Sequence, residues 1–328
     1  MAQSRTKCRS VAVICAATAA AALFAPATIA RAEYPERPVQ VIIGFPAGGG
    51  ADIAARAYLA AMHRVSGKSF VLMNKPGAAG NLSINVAAAA KPDGYTLLVG
   101  SSSNMVGARF FYKDVQFAAL RDFVPLGTFL DGSFVLITRN ENPASAPAEL
   151  LADLKKKGQS KFAFSNQLTL LAGEYVKARG GLGSEKVAYK SAVDAYPDVI
   201  SGMIDYMVTD GTTASTLVRD KKVKPLAMMS AERHPSMPGV PTMRELGFED
   251  ADFSIWWAMY APAGLDPAIA RKLEGWVLAA AKDKEYGELL LKTGNTPVSD
   301  DAASVKGRLE RETARWRPLV EAAGIQPQ

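Results

Sequence analysis

The stretch GFPAGGGAD, Gly44 to Asp52, lies between an apolar run, VQVII, and an alanine-rich run that begins at Ile53. The apolar run has the β-branched residues that favour a strand, and the alanine-rich run has the composition of a helix. Glycines in such a turn let a ligand approach the backbone amides at the start of the helix. The stretch therefore predicts a strand, a ligand-binding turn and a helix in succession.

The same pattern occurs three times between Tyr34 and Gly100. The run SFVLMN leads to KPGAAGN, which ends at Asn81, and the run YTLLVG leads to SSSN, with alanine-rich stretches between the units. Strand, loop and helix in this order indicate parallel βαβ units. Right-handed crossovers place the three loops at the carboxyl edge of one sheet, where open α/β sheets bind ligands.

A second α/β region follows the first. Its predicted strands are FVLIT (134–138), KFAFS (161–165), KVAY (186–189), YMVT (206–209) and KPLAMM (224–229), and its predicted helices span 168–179, 192–201 and 213–219. The strand SIWWAMYAP (254–262) and three helical runs, at 267–282, 284–292 and about 301–323, complete the chain. Crossings near residues 130–135 and 230–255 predict two lobes, 33–132 with 255–328 and 133–254, that close on a ligand by hinge motion.

The first 32 residues have the pattern of a cleaved secretory signal peptide. Arg5, Lys7 and Arg9 precede an apolar, alanine-rich run, and Ala30–Ala32 offers small residues at the positions that a signal peptidase reads. The alternative is an uncleaved membrane anchor, because the run is long enough to span a membrane. Cleavage predicts a secreted protein.

Removal of this segment changes the charge and the cysteine count. The chain has a formal net charge of +6, and the segment carries four basic residues and no acidic ones, which leaves +2. The lysine clusters at 155–157 and 221–222 then indicate solvated surfaces and not a nucleic-acid footprint. Both cysteines, Cys8 and Cys15, lie in the segment. The mature chain is therefore expected to have no disulfide, thiol nucleophile or cysteine metal site.

The spacing of GFPAGGGAD excludes the two common nucleotide motifs. A P-loop needs Gly-Lys-Ser/Thr, but Gly50 is followed by Ala51 and Asp52, and a Rossmann fingerprint needs a glycine where Ile53 stands. The first-turn amides still favour an anion, while Asp52, placed to cap the helix, disfavours a multiply charged phosphate. With KPGAAGN and the serines at 101–103, the turn suits a carboxylate. The alternative is three tight turns that need glycine only for their backbone.

Residues for catalysis are few. The chain has two histidines, His63 in a predicted helix and His234 in a proline-rich loop, and neither forms a pair with metal-ligand spacing. No Gly-x-Ser-x-Gly elbow occurs. The sequence therefore predicts no catalytic residue, no metal and no cofactor.

Two adjacent tryptophans, Trp256 and Trp257, lie in a predicted strand. Their side chains must face opposite sides of the sheet. One is expected in the core, and the other could form an aromatic wall of the cleft.

The motifs together resemble the Bug (TctC-like) family, the extracytoplasmic solute receptors of tripartite tricarboxylate transporters. The matching segments are YPERPVQVIIGFPAGGGADIAAR, NKPGAAGN, KPDGYTLLVG, VAYKSAVDAYPDVISGMID, LAMMSAERHPSMPGVPTMRELGF, SIWWAMYAPAGLDP and a terminal W-x-x-x-V-E-A-A-G-I. Taken in this order, these segments extend over nearly all of the chain after the signal. The resemblance implies an α/β, two-lobed periplasmic binding protein of type II, the Venus flytrap class, with two crossing strands as the hinge.

The resemblance also implies a function. It indicates a monomeric periplasmic receptor, not an enzyme, that captures an organic carboxylate and delivers it to the membrane subunits of a tripartite tricarboxylate-type transporter. One alternative is a receptor that presents its ligand to a sensor kinase, and another is a secreted enzyme. No nucleic-acid partner is expected.

The residues that match the family's binding positions come from both lobes. They are Ala47, Gly48, Gly49, Gly50, Asp52, Gly77, Ala78, Ala79, Gly80, Asn81, Ser101, Ser102, Ser103, Ser165, Asn166, Gln167, Tyr189, Asp210 and Trp256.

One loop departs from the family pattern. Relatives commonly carry a glycine-serine loop and then a histidine before Leu-Ala-Gly-Glu, whereas FSNQLTLLAGEYV has the bulkier Asn166 and Gln167 and no histidine. The usual small dicarboxylates and tricarboxylates are therefore in doubt. Two alternatives stay open: the amides could bind a distal polar group, or Trp256 could pack on an aromatic carboxylate such as terephthalate.

Overall fold

The computed structural model describes residues 34–230, 233–234, 237–248, 251–293 and 295–327. The predicted signal peptide lies outside the described residues. The chain from Arg37 onward forms one compact unit.

Eleven strands lie in the described part of the chain. They are β1 (Val39–Ile43), β2 (Phe70–Asn74), β3 (Thr96–Ser101), β4 (Phe123–Gly132), β5 (Phe134–Arg139), β6 (Lys161–Phe164), β7 (Glu185–Ala188), β8 (Tyr206–Asp210), β9 (Val223–Met228), β10 (Ile255–Pro262) and β11 (Asn295–Asp300).

Twelve α-helices lie in the same residues. They are α1 (Gly50–Ser66), α2 (Asn81–Ala88), α3 (Ser102–Met105), α4 (Ala108–Phe111), α5 (Ala119–Asp122), α6 (Pro147–Lys157), α7 (Gln167–Gly180), α8 (Ala192–Ser201), α9 (Gly211–Arg219), α10 (Pro267–Ala280), α11 (Lys284–Lys292) and α12 (Ala302–Ala322).

The strands form two mixed sheets. The six-stranded sheet has the order β11-β4-β10-β3-β1-β2, and the five-stranded sheet has the order β7-β6-β8-β5-β9. Strand β1 pairs in parallel with β2 and β3, and β6 pairs in parallel with β7 and β8. The parallel βαβ units predicted between Tyr34 and Gly100 are confirmed in the six-stranded sheet, and the five-stranded sheet contains parallel pairs of its own. We call the part built on the six-stranded sheet the first lobe and the part built on the five-stranded sheet the second lobe.

The chain passes between the two sheets at two places that lie side by side. At the first, β4 ends at Gly132 and β5 begins at Phe134. At the second, the segment between β9 and β10 returns to the first sheet. A backbone hydrogen bond of 2.7 Å from Met229 N to Phe134 O joins the two passages, and one of 2.7 Å from Phe253 N to Met229 O joins the two ends of the second passage. The crossings predicted near 130–135 and 230–255 lie at these places.

Helix α1 holds the glycine-rich turn at the end of β1. Its fully buried Tyr58 stacks on Phe129 of β4, with ring centroids 4.0 Å apart, and donates to Val277 O of α10 at 2.8 Å. The helix ends at Gly67, whose left-handed backbone (φ 65°) lets its N–H donate to His63 O. This packing fixes the position of the amino-terminal end of α1.

Two strands of the first sheet are absent from the sequence-based prediction. Strand β4 contains Pro125 and Gly127, residues that weaken a strand signal, and its register with β10 shifts twice. Strand β11 contains Pro297 and lies at the sheet edge, where proline is tolerated. Both strands form because β4 has partners on both sides, β10 and β11. Pairing in the tertiary structure thus outweighs local propensity.

Four helices are also absent from the prediction. Helices α3, α4 and α5 have four residues each, which is too short for a periodic signal. Helix α6 has a periodic apolar pattern, formed by its buried Leu150, Leu151 and Leu154, and is nevertheless missing from the prediction.

Candidate functional site

A cavity of about 450 Å³ opens between the two lobes. The first lobe contributes the turn after β1 together with residues of β4, β10 and β11, and the second lobe contributes the start of β5, the turns after β6 and β7, and Asp210 at the end of β8. These turns all follow carboxyl ends of strands, as the βαβ pattern predicts. The volume lies within the range of small-molecule sites.

The turn after β1 forms the first-lobe wall of the cavity. The predicted site residues Ala47, Gly48, Gly49 and Gly50 all line it. Gly49 is the N-cap of α1, and it provides no side-chain cap for the helix. The amides of the first helical turn therefore retain hydrogen-bonding capacity, and the positive end of the helix dipole lies beside the cavity.

Asp52, predicted as a site residue, lies behind this turn and does not line the cavity. Its carboxylate is 3% exposed and accepts from the Gly48 N–H (2.9 Å), Arg56 Nε (3.0 Å) and Asn74 Nδ2 (2.9 Å). Burial alone would raise the pKa of Asp52, but the hydrogen bonds from Arg56, Gly48 and Asn74 outweigh it and lower the pKa. Asp52 therefore braces the turn as an ionised group.

Asp52→Asn is expected to lower the free energy of unfolding by about 1–3 kcal/mol at neutral pH, because it removes the ionised acceptor shared by the Gly48 N–H and Arg56 Nε. A lowered pKa stabilises the fold above the pKa of a solvated aspartate, and this contribution is lost as the pH falls through the folded-state value. The difference from wild type should therefore shrink below about pH 4. Urea unfolding at several pH values measures it, with the surface variant Asp153→Asn as control. A difference that is constant with pH would contradict the assignment.

The second predicted loop packs against the first and does not line the cavity. A Cβ atom at Gly44 would lie 2.6 Å from Gly80 Cα and from Ser83 Oγ, so the two loops touch through their backbones. Gly80 itself has φ 96° and would place a Cβ 2.8 Å from Asn104 Nδ2. Gly77, Ala78, Gly80 and Asn81 all lie outside the cavity lining. The glycines of this loop serve close backbone packing.

The three serines at the end of β3 and the start of α3 are fully buried and also lie outside the lining. Ser101 N donates to Asn104 Oδ1 at 2.9 Å in a capping box of the short helix α3. Ser102 Oγ accepts from Trp256 N at 3.4 Å. The sequence predicts one pocket built from three loops, whereas in the structure the first loop lines the cavity and the described residues of the other two do not.

In the second lobe, three predicted residues line the cavity and two do not. Ser165, Asn166 and Asp210 belong to the lining. Gln167, 3% exposed, turns instead to Ser103 Oγ, with its Oε1 at 3.1 Å. Tyr189 donates to an Asp198 oxygen. Burial and this hydrogen bond raise the pKa of Tyr189 to about 12.

The helices of the second lobe that start at the cavity differ from α1 in their capping. Asn166 caps α7 by accepting from Thr169 N at 3.0 Å. Ser191 caps α8 by accepting from Asp194 N at 3.4 Å. A side chain of the chain itself thus occupies these two helix ends, whereas the end of α1 has none.

Trp257, and not the predicted Trp256, lines the cavity. Its ring meets Phe45 edge to face, with centroids 5.2 Å apart. Alternation along β10 turns Trp256 to the opposite face of the sheet, where it is buried. The strand pattern left open which of the two tryptophans faces the cleft, and the match to the family pattern indicated Trp256.

The sequence and the fold match one family of known proteins. The model for TctC, the tripartite tricarboxylate transporter family receptor, matches residues 54–325. The chain belongs to this family. The receptor is 30% identical over 321 residues to Protein BugT of Bordetella pertussis, a match that covers 96% of this chain and 98% of BugT.

Solved structures have the same fold as this receptor. The periplasmic binding protein BugD aligns with a TM-score of 0.84 and 28% identity, over 90% of this chain and 100% of that one. Rpa4515 of R. palustris, solved with adipate, aligns with a TM-score of 0.85 and 25% identity, also over 90% and 100% of the two chains. The predicted two-lobed α/β periplasmic binding protein fold is confirmed.

Several lining residues of the receptor were not predicted from the sequence. They include Phe45, Leu130, Phe134, Ile255, Lys190 and Asn295. Phe45 precedes the glycine-rich turn and Lys190 follows β7, so the rule that ligands bind at strand carboxyl ends could have identified both. Leu130 and Asn295 lie in β4 and β11, the two strands that the sequence did not predict.

The described residues of the receptor hold no candidate metal centre, and the histidines lie outside the cavity lining. The Nδ1 atom of His63 lies 2.9 Å from Lys68 O. In this part of the chain no group of three or more His, Cys, Asp or Glu side chains could hold a metal ion. Nor is any described helix both long and apolar enough to cross a membrane.

Proposed function

We propose that this protein is a periplasmic receptor that captures an organic carboxylate between its lobes and delivers it to the membrane subunits of a tripartite tricarboxylate-type transporter. The observation that carries the proposal is the end of α1, where Gly48, Gly49 and Gly50 open onto the cavity and no side chain caps the helix. Membership of the TctC family supports the transport role.

A carboxylate fits this end of the cavity for physical reasons. The free first-turn amides supply several donors, and the helix dipole favours one negative charge. The ionised Asp52, which accepts from Gly48 N immediately behind the turn, disfavours a group with more charge. Rpa4515, a related structure, holds adipate, a dicarboxylate.

The walls of the cavity favour a ligand with an apolar or aromatic body. Phe45, Leu130, Phe134, Ile255 and Trp257 form these walls. A carboxylate buried among them without a partner would bear a large desolvation cost. We expect acids with terminal carboxylates and an apolar or aromatic middle, such as terephthalate, to bind more tightly than tricarboxylates.

The charges of the cavity lie at its second-lobe side. Among the described lining residues Lys190 is the one cation, and Asp194 and Asp210 are the acids. Lys190 and Asp194 are exposed at the mouth, whereas Asp210 is half-buried. A second, distal carboxylate would therefore find its partner in Lys190, where solvent also reaches it.

A thermal-shift screen tests the proposal. Protein beginning at residue 33 is heated with monocarboxylates, dicarboxylates, tricarboxylates, aromatic acids and matched neutral amides. A ligand at 100 times its Kd should stabilise the fold by about 2.7 kcal/mol. We expect at least one acid to raise the Tm and its amide to have no effect. Stabilisation by neutral solutes alone would refute the carboxylate assignment.

The delivery step has a separate test. Uptake of the best acid into cells that contain the membrane subunits should require this receptor and should stop when its gene is deleted. Unchanged uptake would leave ligand capture in place and refute delivery. Detection of the chain in a periplasmic extract, with its amino terminus near residue 33, would support the proposed location.

A further inference from the structure

One row of side chains on the first sheet ends in an asparagine that lines the cavity. Ile255 of β10 and Asn295 of β11 both lie directly opposite Gly132 of β4, so the three residues share one face of the sheet. Ile255 and Asn295 belong to the cavity lining, and so does the neighbouring pair of Trp257 and Leu130. This face of the sheet therefore forms one side of the cavity, with Asn295 on its edge strand.

Gly132 makes room for the Asn295 side chain. A Cβ atom at Gly132 would lie 2.8 Å from Asn295 Oδ1 and 2.8 Å from Ile255 Cγ2, so the two neighbours occupy the space that a side chain there would fill. Asn295 is 4% exposed, and its Nδ2 lies 3.4 Å from Thr293 O, close to the long limit of a hydrogen bond. A carboxamide has two N–H donors and an oxygen with two lone pairs. It can therefore bind a ligand while it keeps these contacts.

Asn295 is a neutral polar group at a depth that the cation of the cavity does not share. Lys190, the one cation among the described lining residues, is exposed, whereas Asn295 is buried. His234, also buried, hydrogen-bonds to the Asn295 backbone; burial lowers the pKa of His234 more than this bond raises it, so the ring is neutral at pH 7. A carboxylate beside Asn295 would bear a large desolvation cost. A hydroxyl or carbonyl group would be paired by the amide.

The sheet order sets the distance from the α1 turn to this amide. Trp257 contacts Phe45 beside the turn. Strand β11 is two strands away from β10, which carries Trp257, so about 10 Å separate them. An acid gripped at the turn would therefore have its body along β10 and β4 and its opposite end beside Asn295.

We propose that Asn295 is a specificity-determining residue that selects carboxylates with an uncharged hydroxyl or carbonyl group at the end opposite the gripped carboxylate. This inference rests on the proposed function, carboxylate capture at the end of α1. The amide pairs with the uncharged group where both are buried. The second carboxylate of a dicarboxylate is directed to Lys190 instead, where solvent reaches it.

Calorimetry with two matched acids tests this inference. The probes are cinnamate and 4-hydroxycinnamate, which share one body and differ by a hydroxyl at the end opposite the carboxylate. Wild type is expected to bind 4-hydroxycinnamate roughly tenfold more tightly than cinnamate. Asn295→Leu removes the hydrogen-bonding groups at nearly constant size and should abolish this preference, and Asn295→Ala is a second variant in case the first folds poorly. The matched control Asn85→Leu, on the exposed face of α2, should keep the wild-type ratio.

The ratio of the two affinities separates failure of this inference from failure of the proposed function. Equal binding of the two probes by wild type would overturn the inference and leave carboxylate capture in place. A preference that survives in a folded Asn295 variant would also overturn it, because another group would then bind the hydroxyl. So would a wild type that binds other acids of the thermal-shift screen but not 4-hydroxycinnamate. Failure of wild type to bind any acid would refute the proposed function itself.

Discussion

Gly49→Val is expected to weaken binding of the best carboxylate about 100-fold or more, which corresponds to about 2.7 kcal/mol. Gly49 lines the cavity at the N-cap of α1, so a branched side chain there would block the approach of a carboxylate to the helix amides. The fold should tolerate the change. The backbone at Gly49 (φ −79°, ψ 168°) is one that any residue adopts, and an added Cβ would lie 3.7 Å from its nearest neighbour, Pro46 O.

Calorimetry with the acid and a thermal melt without it separate these two effects. The matched control is Gly183→Val, an exposed glycine of the second lobe outside the lining, where an added Cβ would lie 4.0 Å from Gly158 O. The control should bind as wild type does. Wild-type affinity in a folded Gly49→Val protein would show that the loop is a turn without a binding role.

Gly44→Ala is expected to lower the free energy of unfolding by about 3 kcal/mol, at the upper end of the range for overpacking. The added Cβ would lie 2.6 Å from both Gly80 Cα and Ser83 Oγ and 2.9 Å from Gly80 O. Two of these three atoms belong to the backbone and cannot move aside as the end of a side chain can. Relief therefore requires the first and second loops to separate.

A urea or thermal denaturation series measures this loss, with a Tm decrease of roughly 6 °C or more expected. Gly183→Ala adds the same methyl group where there is space, and it should change the Tm little. If Gly44→Ala kept the wild-type Tm, the two loops could not be packed as closely as the structure places them.

Much of the fold follows from local sequence patterns. The predicted helix at 192–201 has the same bounds as α8, and the first three strands and their helices differ from the prediction only at their ends. These elements have strong periodic signals and clear glycine or proline boundaries. Strands β4 and β11 do not, because Pro125, Gly127 and Pro297 weaken the signal and the strands form by pairing with β10 and with each other.

The candidate site divides in a similar way. The chemistry of the first turn was predictable, since a glycine-rich strand-to-helix turn exposes amides wherever it occurs. Its neighbours were harder to place. The second loop and the serines have the same residue types, but the Gly44–Gly80 contact and the Ser103–Gln167 hydrogen bond keep them outside the cavity.

The sequence by itself determined the two α/β sheets, the carboxyl-edge position of the loops and the family to which the chain belongs. These three features depend on strand and helix periodicity and on the order of motifs, which are local properties of the sequence. Only the tertiary structure decided that Trp257 lines the cavity, that Asp52 braces the turn and that Gln167 turns away from the cavity to Ser103. Each of these depends on which surfaces of distant segments pack together, and residue type alone does not specify that packing.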